Sequence, residues 1–403
     1  MNIMYRLPNM LGNIFSKISL KAWTLIYVLS IFSTYILDRQ IRENAGVSLV
    51  SDEGIYLAYS HMMSGTQLSD LEQQHISGYG KFYWLRCLPL VFPASLFNRI
   101  GIEGVLSLRL TIWIIGYIGF YLFFKSSQRN SSGKNGLAMM YFFLFPIGHM
   151  VRFFGIKETI ISTCLLLFCI MLDKYYSKNL RTVSIIKHTG SRYILLTASA
   201  FLFLQSYYVL IIAVTFAIFS LLHRRIYSAG ISLVLFVMYI LFNFLTVLLG
   251  PNSDVKFEIV PTQRIVQNEA SSGGSFIPKS VIAQAPSLLD TKLEKLTESK
   301  NAVIVENEVK YLHLFYVNFS EPLSTLVSLE SLAWLALLVF LMSRYLKFRS
   351  LEPSSQLILL MLSLAFTGIL LYDDNFGTYL RHRDQILLSV LFFVSQSHKK
   401  QRT

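Results

Sequence analysis

Cysteine is scarce in this chain. Three occur in 403 residues, Cys87, Cys164 and Cys169, all within apolar surroundings. An odd number with no paired spacing excludes a disulfide framework and a cysteine-ligated zinc site, and the three read as small buried hydrophobes. Charge is scarce too: 15% of residues are charged, where a soluble domain carries about a quarter. Acids are the scarcer sign, 23 against 36 Lys and Arg, for a net charge of +13. Such an excess invites a nucleic-acid reading. The basic residues, however, sit in short loops and tails between apolar runs, the placement of orientation signals in a membrane protein. Also missing is a cleavable leader: the polar stretch before the first apolar run is too long, and no small-residue cleavage site follows it. No internal repeat of the transporter kind is evident.

What the chain has instead is apolar sequence, 53% of residues. It is arranged in runs near the ~20 residues that span a bilayer as a helix. The expected fold is all-α: a single integral membrane domain over residues 1–403, a polytopic bundle of about ten transmembrane helices. Residues 1–21 read as a basic tail. The spans are expected near 22–37, 105–124, 136–150, 159–172, two short ones within 193–222, 228–249, 324–342, 356–372 and 386–394. Ten spans with both termini cytoplasmic place the basic loops around Lys125–Lys134, Lys174–Arg192, His223–Arg225 and Arg344–Arg349 on the inner side. Two outer loops are then large. Residues 38–104 carry interfacial helices, one of them the short Trp84–Phe97 run broken by Pro89 and Pro93. Residues 250–322 carry the flexible Ser271-Ser272-Gly273-Gly274 stretch and a short amphipathic helix after Ser287.

Several polar clusters fall on that outer side. Asp52 and Glu53 follow Ser51 at the start of a helical pattern that Gly65 ends. They are capping charges on an interfacial helix, or one is a general base or metal ligand at the membrane surface. His75 precedes Gly78-Tyr79-Gly80-Lys81. It is a solvated loop residue or a contact to sugar or phosphate. Arg152, Lys157 and Glu158 share a turn between two spans. The cations snorkel to the interface there, or hold an anionic phosphate that Glu158 orients. Arg381, His382 and Arg383 form an outer cationic group that the positive-inside rule disfavours. Asp373, Asp374 and Asp384 are available to pair with it; phosphate binding is the alternative. Arg109 lies inside the second span, where a charge faces protein or a polar cavity.

In layout and in these motifs the chain resembles the GT-C class of polyprenyl-phosphate-dependent glycosyltransferases and related bacterial envelope-polysaccharide membrane proteins. The acidic motif of their first outer loop is matched by Asp52-Glu53-Gly54-Ile55-Tyr56, and the stretch after it by His75 to Tyr83, with His75-Ile76 where His-Pro is usual. Leu108-Arg109-Leu110 is similar to the arginine that opens their second span, and Phe145-Pro146 followed by Lys157-Glu158 to a proline-then-basic-acidic pattern. Asn375-Phe376-Gly377-Thr378 with Arg381 and Arg383 is similar to an Asn-x-Gly-Thr…Arg-x-Arg ending. Gln205 stands where relatives often carry arginine, and no large soluble C-terminal domain is recognised. The resemblance implies transfer of a sugar from a polyprenyl-phosphate-linked donor to a glycan or lipid-linked acceptor. The reaction is placed at the outer face of the bacterial cytoplasmic membrane. Asp52 and Glu53 are the implied catalytic acids, and His75, Arg152, Lys157, Glu158, Arg381 and Arg383 the implied substrate and phosphate ligands. A divalent cation, Mg or Mn, is a possible cofactor. An O-antigen or capsule repeat-unit polymerase is the alternative, and a lipid-linked glycan transporter a more distant one.

Overall fold

A computed structural model describes the backbone of residues 3–45, 52–70, 72–73, 76, 84–127, 131–145, 152–177, 196–197, 200–202, 204, 207–224, 226–248, 322–372 and 376–396. Among these residues the regular elements are helical and none is a strand. The helices are α1 (Ile3–Ile14), α2 (Leu20–Ala45), α3 (Asp52–Ser64), α4 (Trp84–Arg99), α5 (Val105–Ser126), α6 (Ser131–Met139) and α7 (Glu158–Ser177). They continue with α8 (Tyr207–His223), α9 (Ile226–Leu248), α10 (Pro322–Tyr345), α11 (Pro353–Tyr372) and α12 (Phe376–Gln396). His75, the 205–206 break and nearly all of the 250–322 loop, including its expected amphipathic helix, lie outside the described residues.

Two of these helices, α5 and the Ser328–Tyr345 part of α10, are long and apolar enough to cross a bilayer. Four shorter apolar helices lie within α2, α8, α9 and α11. The count of ten is thus not reproduced among the described residues. Two boundaries move as well. The expected basic tail contains α1, whose Leu7, Leu11 and Ile14 recur at helical spacing. Its buried Pro8 and Gly12 pack on α6 at Gly136, where any Cβ would strike the Pro8 carbonyl. Asn135 fastens this corner, donating to the Phe15 and Ser16 carbonyls and accepting from Trp23 Nε1 at 2.9 Å. The second shift is at α12, which starts at Phe376, so Arg381–Asp384 lie inside a helix and not in a loop.

The core joins α5, α7, α11 and α12, with α3 and α4 packed together across one end of α5. An aromatic cluster of Trp23, Tyr27, Phe120, Tyr141, Phe142 and Phe153 links α2 and α5 to the π-helical turn Met140–Leu144 after α6. Outward, α2 exposes Leu25, Val28, Leu29, Phe32 and Ile36, and α9 exposes Leu233, Phe236, Val237, Ile240 and Phe244. Apolar faces of that extent are not left to water by a soluble monomer.

α3 behaves largely as expected. It opens at Asp52, buries Ile55 and Tyr59, and is followed by Gly65 at φ 79°. After it, Ser69 and Glu72 form a reciprocal capping box: the Ser69 amide and hydroxyl donate to Glu72 Oε2 at 2.9 and 3.0 Å, and the Glu72 amide donates to Ser69 Oγ. The other carboxylate oxygen, Oε1, lies 2.7 Å from His61 Nδ1. Burial pushes the Glu72 carboxyl up, but the Ser69 amide and hydroxyl and the nearby His61 outweigh it and hold it below its ordinary 4.5. A depressed carboxyl stabilises the fold above its unfolded value and loses that contribution as pH falls through its folded value. Protection from amide exchange over residues 64–73, taken relative to the intrinsic rate at each pH, should therefore be flat from neutral pH to about pH 5 and fall in more acid solution. Glu72→Gln should exchange fast at every pH; a wild-type profile in that variant would remove the carboxylate from the account.

Candidate functional site

The turn Arg152–Lys157 between the π-helical segment and α7 is held by side chains from three other helices. From α3, Glu53 Oε1 accepts the Gly155 amide at 2.6 Å. From α5, Trp113 Nε1 donates to the Phe153 carbonyl at 2.8 Å. From α12, Asp384 accepts Arg152 Nε at 2.5 Å on Oδ2 and Nη2 at 2.7 Å on its backbone carbonyl. α7 adds its own tie, Thr159 Oγ1 donating to the Arg152 carbonyl at 2.9 Å. Gly155 is required by closeness: a Cβ there would lie 2.7 Å from Leu108 Cβ and 3.1 Å from Glu53 Oε1. Gly155→Ala should cost about 1–3 kcal/mol, as overpacking of a filled core does, read as a lower thermal midpoint of the purified protein.

Beneath the turn lies a three-residue ionic cluster. Arg109 donates Nε and Nη2 to the two Glu53 oxygens at 2.9 Å each, and Nη1 lies 2.6 Å from Asp38 Oδ2. The guanidinium also sits 5.2 Å from the Phe154 ring centroid. Arg109 thus faces protein, paired with acids on two neighbouring helices.

Each candidate has a place. Glu53 is 1% exposed and both its oxygens accept hydrogen bonds. Asp52 is the first residue of α3; its side chain lies outside the described set. Arg152 is buried, bonded to Asp384 and, at 3.2 Å, to the Tyr141 hydroxyl, with its charge 5.0 Å from that ring. Burial opposes that charge, but the Asp384 carboxylate more than offsets it and raises the Arg152 pKa further. Arg383 is fully enclosed, its Nη2 2.6 Å from Glu330 Oε1 and its charge 5.9 Å from the Trp334 centroid. Lys157 is half-buried, and its side chain has no partner among the described residues. Glu158 is 6% exposed, and its Oε2 is enclosed without a hydrogen-bond partner. Arg381 lies on α12 with its side chain outside the described set, and His75 lies outside it altogether.

The acidic start of α3, the Lys157-Glu158 step and the first turns of α12 are thus brought together through the 152–157 turn. Several participants are absent from the sequence-derived site, among them Asp38, Trp113, Tyr141, Thr159, Glu330 and Trp334. Glu330 carried a signal, as an acid inside an apolar run faces protein. Asp384, one of the acids available to pair with Arg381–Arg383, takes Arg152 from across the bundle. Among the described residues no group of three or more His, Cys, Asp or Glu is arranged for a metal ion. The described carboxylates Glu53 and Asp384 are engaged by arginine.

No family model matches the chain, and no curated protein matches it. Among solved structures the chain is similar to the crystal structure of ArnT from Cupriavidus metallidurans bound to undecaprenyl phosphate. The identity is 12% and the TM-score 0.39, over 94% of this chain and 78% of that one. A likeness of that degree defines no family for the chain.

Proposed function

We propose that the protein is a polytopic membrane glycosyltransferase of the GT-C kind. Its substrate is a sugar carried on a polyprenyl phosphate, and the sugar passes to a glycan or lipid-linked acceptor at the outer face of the cytoplasmic membrane. The ten-span topology with both termini inside belongs to this proposal, supported by the outward apolar faces of α2 and α9 and by the charge distribution of the loops. The observation that carries the proposal is the state of the cations around the 152–157 turn. Arg109, Arg152 and Arg383 each hold a carboxylate, whereas the half-buried Lys157 holds none among the described residues. A partly desolvated ammonium without a counter-ion attracts an anion, and a phosphate at the membrane surface supplies one.

In the reaction, the acceptor hydroxyl oxygen bonds to the anomeric carbon while its proton passes to Asp52. The bond from that carbon to the phosphate oxygen breaks, and polyprenyl phosphate leaves with its added charge on Lys157 and Arg381. Stabilising that developing charge is usually the larger part of such catalysis. Glu53, Arg152 and Arg383 are positioning residues that hold the turn and α12.

Lys157→Met separates the phosphate role from a structural one. With no partner among the described residues to lose, the variant should melt within about 2 °C of the wild type, since a change under ~1 kcal/mol shifts a chain this long no further. Its affinity for undecaprenyl phosphate in nanodiscs should fall by about tenfold or more. Unchanged affinity would overturn the proposal.

A further inference from the structure

Lys157 and Glu158 are neighbours of opposite charge, yet neither is satisfied by the other or by a described residue. Buried polar atoms in folded proteins almost always find partners, and an orphan calls for an explanation. The helix dipole supplies only part of one. A carboxylate in the first turn of α7 is favoured by the dipole, but a solvated one would serve as well without desolvation. Glu158 is 6% exposed, and its Oε2 meets no donor among the described residues. The backbone around it is not adaptable either, since Trp113, Glu53 and Asp384 pin the preceding turn.

A ligand that satisfies both residues carries an anionic group for Lys157 and a hydrogen-bond donor for Glu158. A sugar phosphate has that form: phosphate oxygens on the anomeric carbon and a hydroxyl on the next. We infer that Glu158 recognises the sugar itself, accepting hydrogen bonds from its hydroxyls while Lys157 holds the phosphate. This rests on the lipid-phosphate reading and adds a selection step to it. Glu158 distinguishes the glycosylated lipid from the bare polyprenyl phosphate that leaves after transfer, and so favours exchange of product for donor.

The experiment uses the full chain in nanodiscs and two probes, undecaprenyl phosphate and undecaprenyl phosphate carrying a neutral hexose. Wild-type protein should bind the hexose-bearing lipid more tightly. Glu158→Gln and Glu158→Met should lose that preference, weakening the hexose-bearing lipid by about tenfold or more, as a hydrogen bond to a charged group is worth, with the bare lipid unchanged. Both variants should also melt at or above the wild-type temperature, because an unsatisfied buried carboxylate has been removed. A clear fall in melting temperature assigns Glu158 a structural role and overturns the inference. So does a variant that keeps the preference for the hexose-bearing lipid, or one that weakens both lipids equally. If the wild type binds neither lipid, the phosphate reading fails first, and Lys157→Met will show it by having nothing to lose.

Discussion

Arg109→Met is expected to leave little folded protein in the membrane. The substitution strips the partner from two buried carboxylates at once, Asp38 at 2% exposure and Glu53 at 1%. Removing one partner of a buried ion pair costs about 3–5 kcal/mol, because the remaining charge is left uncompensated. That already rivals the roughly 5–15 kcal/mol by which a domain is stable. The damage also spreads along named contacts. Glu53 holds the Gly155 amide, so its displacement releases the turn that carries Lys157. Arg109→Lys should rescue poorly, since an ammonium cannot reproduce the fork that meets both Glu53 oxygens and Asp38.

The single acids should behave differently from the arginine. The cluster holds two carboxylates against one guanidinium, so Asp38→Asn removes the excess negative charge and leaves Arg109 paired with Glu53. It should be the mildest of the set. Glu53→Gln keeps an oxygen for the Gly155 amide but loses the charged fork, and should fall between. Membrane-fraction yield and thermal midpoint across these variants test the order. An Arg109→Met protein present at wild-type level and melting within about 2 °C of wild type, a shift worth under ~1 kcal/mol, would show that the cluster is not what holds the turn.

Much of the helical layout was legible in the residues. Length and apolar content located α5, α9, α10 and α11 to within a few residues and the starts of α2 and α7, because a buried helix advertises itself over a whole window. Gly65 was readable as a helix end because few other residues take a positive φ easily. The acidic start of α3 and the Lys157-Glu158 step were also findable as polar groups that break apolar sequence. Who pairs with whom was not. Arg152 meets Asp384 across 232 positions, and Arg383 meets Glu330 across 53. Periodicity carries no information over such separations, so nearby acids such as Asp373 were the natural but uninformative guess. α1 was hidden for another reason. Its twelve residues bury a face with Pro8 and Gly12 in it, two residues that argue against a helix until the close packing on Gly136 is seen.

Asp52→Asn is expected to give a protein that is present and folded but transfers sugar at least 10²-fold more slowly, the range lost with a general base. The contrast with Glu53 is the argument. Glu53 is committed to Arg109 and to the Gly155 amide, which leaves the proton in the proposed reaction to the other acid of the pair. In the proposed reaction the two adjacent acids divide the work: Glu53 fixes α3 against the turn, and Asp52 takes the proton. A helix-capping role alone would make Asp52→Asn nearly silent in both stability and activity, because asparagine caps about as well as aspartate. Cells carrying the variant, with its membrane level verified, should accumulate a polyprenyl-linked glycan lacking one sugar. Accumulation of complete single repeat units without long polymer would point instead to a repeat-unit polymerase, which has no need of a carboxylate in this loop. An unchanged glycan profile for Asp52→Asn, with Glu53→Gln affecting only the amount of protein, would reduce the acidic pair to a helix start and remove the proton acceptor from the proposed reaction.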